Sequence, residues 1–63
     1  MAFVEIDEKL INIDKIEMVL RHNDVAEHSV IVTNTDKFRV RMRIEKVIQA
    51  INDAIDKELG ITQ

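Results

Sequence analysis

The chain has two imidazoles, His22 and His28, six positions apart, with Asp24 and Glu27 between them. Two imidazoles and a carboxylate are the chemistry of a metal site, but six positions is neither the i, i+4 spacing of helical zinc ligands nor that of a zinc finger. A polar loop collects such residues without any metal, so no metal ligand and no cofactor are assigned. Ser29 is the single serine and follows His28 directly. On a strand, neighbouring side chains point to opposite faces, which separates a hydroxyl from its would-be base. Gly60 is the one glycine, so the sequence lacks the means to build a phosphate loop or a nucleophile elbow. The acidic pairs Asp7-Glu8 and Asp53-Asp56 read as solvated faces. The sequence therefore points away from an enzyme, and no catalytic residue is assigned.

The segment Lys37-Phe38-Arg39-Val40-Arg41-Met42-Arg43 departs from this plain pattern. On a strand, alternation sends Lys37, Arg39, Arg41 and Arg43 to one face and Phe38, Val40 and Met42 to the other. Residues 1–36 carry three bases against eight acids, and residues 37–63 carry six against four, within a net charge of −3. Three readings compete for the basic row. The first is cross-strand pairing with Glu5, Asp7 and Glu17. The second is a docking surface for an acidic protein partner, with arginine offering bidentate contacts. The third is phosphate binding on nucleic acid. It ranks last, because the chain is acidic overall and lacks aromatic rings for base stacking.

The elements that would position these residues follow from the apolar pattern. Sixty-three residues make a single domain, 1–63. A chain of this size buries only about 60% of its unfolded surface. Without cysteine, oligomerisation is the expected source of additional stability. An apolar fraction of 46% with 33% charged residues supports a folded core. No apolar run approaches the roughly 20 residues needed to cross a bilayer. Met1-Ala2-Phe3-Val4-Glu5-Ile6-Asp7 lacks the basic and apolar regions of a signal peptide. The expectation is a cytoplasmic protein that does not insert into membranes.

Strands are predicted across about 3–42. Phe3–Asp7 and Leu10–Ile13 form a first hairpin around Asp7-Glu8-Lys9. In Lys15–Arg21, Ile16, Met18 and Leu20 share a face opposite Glu17 and Arg21. His22–Glu27 is a loop, and Ser29–Thr33 with Lys37–Met42 form a second hairpin. A three-residue turn there would pair Val30 and Val32 with Phe38 and Val40. A two-residue turn would place Ile31 on that face instead. The first is preferred because it buries more branched carbon.

A helix is predicted over about 43–59. Ile44, Val47, Ile48, Ile51, Ile55 and Leu59 form its stripe, and Gly60 suits its C-terminal cap. Val47, Ala50 and Ala54 widen the apolar arc and form a candidate oligomer interface. The predicted fold is α+β, a small antiparallel β-meander of three to four strands with one C-terminal amphipathic helix packed on it.

Leu10-Ile11-Asn12-Ile13-Asp14-Lys15-Ile16-Glu17-Met18-Val19, then Ser29-Val30-Ile31-Val32-Thr33-Asn34, Lys37-Phe38-Arg39-Val40 and Glu45-Lys46-Val47-Ile48 resemble the small FlbD-like flagellar proteins over about residues 3–51. The resemblance implies a cytoplasmic, non-catalytic accessory role at the flagellar motor. The chain departs from that family at Asp7-Glu8-Lys9, Val25-Ala26-Glu27 and Thr35-Asp36, and no functional residue carries over. The function expected is a non-enzymatic protein–protein interaction module that self-associates, with Lys37, Arg39, Arg41 and Arg43 as its partner-binding residues. The alternatives are a phage or mobile-element inhibitor of a host protein and a nucleic-acid-binding accessory protein.

Overall fold

The computed structural model describes residues 2–58. Strands β1 (Phe3–Ile6) and β2 (Lys9–Asn12) form an antiparallel hairpin with Val4 opposite Ile11 and Ile6 opposite Lys9. Asp7 and Glu8 make its two-residue turn, at φ 52° and 66°. Positive φ at both central positions gives a turn whose twist matches that of the strands. Glu8 bears a steric cost of about 1 kcal/mol for it, since its Cβ crowds the backbone.

The chain leaves this hairpin through a 3-10 turn at Ile13–Lys15, where the Asn12 side-chain oxygen accepts the Asp14 N–H at 3.0 Å. That turn divides the strands. A second sheet holds β3 (Ile16–Arg21), β4 (Ser29–Thr33) and β5 (Lys37–Val40), all antiparallel, in the order β3-β4-β5. Helix α1 (Ile44–Glu58) follows and packs on β1 and β3. The architecture is α+β with a C-terminal helix on the sheets, as the sequence indicates. In place of the expected meander of three to four strands there are, among the described residues, five strands in two sheets.

The second sheet corrects two predicted faces. In β4–β5, Ile31 lies opposite Phe38 and Ser29 opposite Val40. Ile31, not Val30 and Val32, therefore shares the face of Phe38 and Val40. The reason lies in the turn. The Thr33 N–H donates to the Asp36 carbonyl (2.7 Å), and the Thr33 hydroxyl accepts the Asp36 N–H (2.9 Å). The side chain takes the place of a backbone acceptor, which closes a two-residue connection at Asn34-Thr35 without glycine. In β3, the register shifts between Ile16 and Met18. This bulge at Glu17 resets the alternation. Ile16 and Val19 pack against the core, while Met18 and Leu20 face outward.

The core gathers Val4, Ile6 and Ile11 from the hairpin, Ile31 and Val40 from the second sheet and Val47 from the helix. Each such side chain contributes about 1.5–3 kcal/mol by leaving water. Ser29 is buried among them, and its hydroxyl donates to the Met42 carbonyl at 2.6 Å. That bond holds the bend between β5 and the helix.

The helix is rotated from the orientation its bulkiest residues suggest. Val47, Ala50, Ile51 and Ala54 face the core. Ile44, Ile48 and Ile55, predicted to cover the sheet, are less buried than Val47 and form a flank on which Ile48 is 46% exposed. Alanine on the inward side lets the helix approach two sheets at once. Leu59 and the Gly60 cap lie outside the described residues. At the other end, the Arg43 carbonyl accepts the Lys46 and Val47 N–H groups (3.0 and 3.1 Å) and opens the helix at Ile44.

Candidate functional site

Because the helix and the first hairpin together cover one face of the second sheet, the residues of opposite parity are turned away from that core. Leu20 lies opposite Val30, which lies opposite Arg39; Met18 lies opposite Val32, which lies opposite Lys37. The outer face is therefore an apolar strip with a cationic border along β5. Met18 is 49% and Leu20 44% exposed; Val30 and Val32 are half-buried. At one end, Leu20, His22, Asp24, Val30 and Lys37 line a cleft of about 250 Å³.

The basic residues do not form the single row that alternation predicts, because β5 ends at Val40 and the chain bends at 41–42. Lys37 and Arg39 remain on the outer face. Arg41 turns to the first hairpin, where its Nη2 meets Asp7 Oδ1 at 2.8 Å and its Nε donates to the same oxygen at 3.1 Å. Its backbone N–H donates to Asp7 Oδ2 at 3.0 Å. The Asp7 side chain is only 11% exposed. The Arg41 side chain, then its N–H, hold the Asp7 carboxyl down from an ordinary 3.8 to about 2. Arg43 sits before the first helical residue, and its carbonyl caps the helix. Of the acids expected to pair with the row, Asp7 does so.

A second ion pair, Arg21 Nη2 to Glu45 Oε2 at 3.2 Å, joins β3 to the first helical turn. The Glu45 carboxyl lies below its ordinary value, first through its own backbone N–H and then through Arg21. Neither arginine nor glutamate was singled out from the sequence. A strand-end arginine 24 positions from a helix-start glutamate gives no local signal.

Val47, the centre of the predicted oligomer interface, is fully buried within the protomer, and Ala50 and Ala54 pack against the same core. Among the described residues, the large apolar side chain of the helix left exposed is Ile48, beside the half-buried Ile44 and Ile55.

The two histidines serve the β3–β4 loop. His22 Nδ1 accepts the N–H groups of Asp24 and Val25, both at 3.1 Å, which places the ring proton on Nε2. The rings meet edge-on, centroids 6.1 Å apart. The His28 Nδ1 atom is buried and without a hydrogen-bond partner. No group of three or more metal-ligating side chains is assembled among the described residues.

No protein-family model, curated protein or solved structure matches the chain. Among the described residues, no helix is long and apolar enough to cross a membrane.

Proposed function

We propose that this chain is a non-enzymatic interaction module that associates with itself and docks a second protein on the outer face of β3-β4-β5. The observation that carries this reading is the juxtaposition of exposed Met18 and Leu20 with Lys37 and Arg39 on one uncovered face. An apolar strip supplies area to be removed from water, while a cationic border selects a partner segment that carries carboxylates. With Arg41 engaged by Asp7, few outward cations remain for a phosphate backbone, which favours protein over nucleic acid. A non-catalytic accessory role of the kind implied by the FlbD-like resemblance is one setting for such a module.

The test is affinity capture from host lysate with wild type and with Arg39→Glu, both first shown to be folded by circular dichroism. A partner held by wild type and lost with Arg39→Glu supports the reading. Capture that is indifferent to Arg39→Glu removes the outer face as the docking site.

A further inference from the structure

Strand β5 lies at an edge of its sheet, with β4 on one side only. Its register against β4 is regular from Lys37 to Val40. The Thr33 N–H donates to the Asp36 carbonyl at 2.7 Å, so the Asp36 backbone is turned toward β4. In an antiparallel ladder, alternate residues direct both backbone groups to the same side. Phe38 and Val40, opposite Ile31 and Ser29, therefore also address β4. Lys37 and Arg39 turn their N–H and C=O groups to the open edge, and so does the N–H of Arg41. The last of these leaves the sheet to meet Asp7 Oδ2 at 3.0 Å.

Asp7 shows what this edge accepts. One carboxylate takes an outward N–H of the edge and the guanidinium of the same residue together. Arg39 and Lys37 offer the same combination, an outward N–H beside an exposed cation. Among the described residues, neither cation has an ion pair, and no other element bonds the backbone of either residue. Lysine on an edge strand ordinarily discourages strand addition. Here that discouragement is selective. A second β5 would set cation against cation, whereas an acidic strand meets opposite charge at each outward position.

Resting on the docking proposed above, we infer that the second protein adds an extended acid–apolar–acid segment to β5 as an antiparallel edge strand. Its two acids lie opposite Lys37 and Arg39, exchange backbone hydrogen bonds with them, and share the outer face with their side chains. The residue between the acids turns to the other face, beside the half-buried Phe38, and is therefore apolar. Asp7, seated on the Arg41 N–H, stops the added ladder at one end, and the Asn34-Thr35 turn stops it at the other. In such an addition the backbone bonds supply affinity and the alternate side chains supply specificity. The chain's own acid–x–acid triplets do not serve. Ile6 of Glu5-Ile6-Asp7 is fully buried, and Asp56-Lys57-Glu58 is held in α1. The occupant is thus a segment of another protein.

The test titrates a short extended peptide with a central glutamate–valine–glutamate into isotope-labelled protein, followed by NMR. Saturable binding is expected, with the largest shifts at the Lys37 and Arg39 amides. N-methylation of both glutamates removes the donors aimed at β5 without changing charge and should weaken binding by roughly tenfold or more. N-methylation of the valine, whose N–H points away from β5, should change it by no more than about twofold. A peptide that fails to bind at millimolar concentration overturns the inference. Equal losses from the two methylations do the same, as does a single-stranded oligonucleotide that binds more tightly than the peptide. Capture from lysate that depends on Arg39, with a peptide indifferent to methylation, removes strand addition alone. The expected methylation pattern, with capture indifferent to Arg39→Glu, removes the docking reading alone.

Discussion

On the helix side of the three-stranded sheet, Ile31 and Val40 are fully buried and even a serine is sealed from water. On the other side of the same strands, Met18 and Leu20 keep nearly half of their surface exposed, 49% and 44%. The two faces are built from similar branched and unbranched aliphatic residues, so composition does not distinguish them. What distinguishes them is cover. The helix of 15 residues and the first hairpin together cover one face of a small sheet, the hairpin supplying Val4, Ile6 and Ile11 and the helix Val47. The outer face is left with apolar residues that contribute little to folding, and their cost in solubility is offset by the lysine and arginine beside them.

The contrast is broken most severely by truncating each face. Ile31→Ala should cost about 2–5 kcal/mol, since the cavity opens in the centre of the core. Leu20→Ala, on the outer face of the neighbouring strand, should cost less than about 1 kcal/mol. Urea denaturation of the two variants measures the difference. Equal losses would mean that the outer face is covered within the protomer. Next in size is Ser29→Ala, which takes the hydroxyl donor away from the part-buried Met42 carbonyl and should cost about 1–2 kcal/mol. A neutral result would show that the bend between β5 and the helix does not depend on this bond.

The mildest change concerns the clasp between the sheets. The Asp7 carboxyl titrates at about 2 in the folded protein against an ordinary 3.8. A depressed acid stabilises the fold above its unfolded value, and that contribution fades as pH falls through the folded one. Acid unfolding monitored from neutral pH downward should therefore steepen below about pH 4 in wild type, and less so in Asp7→Asn. Identical curves would show that Arg41 leaves the proton affinity of Asp7 unchanged.

The helix was legible in the sequence because its apolar spacing admits no other element. Its rotation was not. Bulk pointed to the isoleucines as the inward stripe, whereas simultaneous packing on β1 and β3 favours the narrow side, Ala50 and Ala54. The hairpins were legible as turn-rich interruptions, yet their register depended on atoms that periodicity does not weigh. At Thr33 a hydroxyl replaces a backbone acceptor, and at Glu8 an ordinary residue adopts positive φ. The bulge at Glu17 carries no glycine to announce it, and it alone turned the predicted face of Ile16, Met18 and Leu20 into an inward isoleucine and two outward residues. The basic row was legible as a run of residue types. It failed as geometry because the strand stops at Val40, one residue before Arg41.

The Asp7–Arg41 clasp joins positions 34 apart, whereas each hairpin closes over a few residues. Local contacts form early because their loop entropy is small, and distant ones wait until the chain is nearly compact. The clasp therefore belongs to the late side of the folding barrier. Its loss should accelerate unfolding while leaving the refolding rate nearly unchanged. The side chain that sets the acid response would then also act as a latch on the lifetime of the native state.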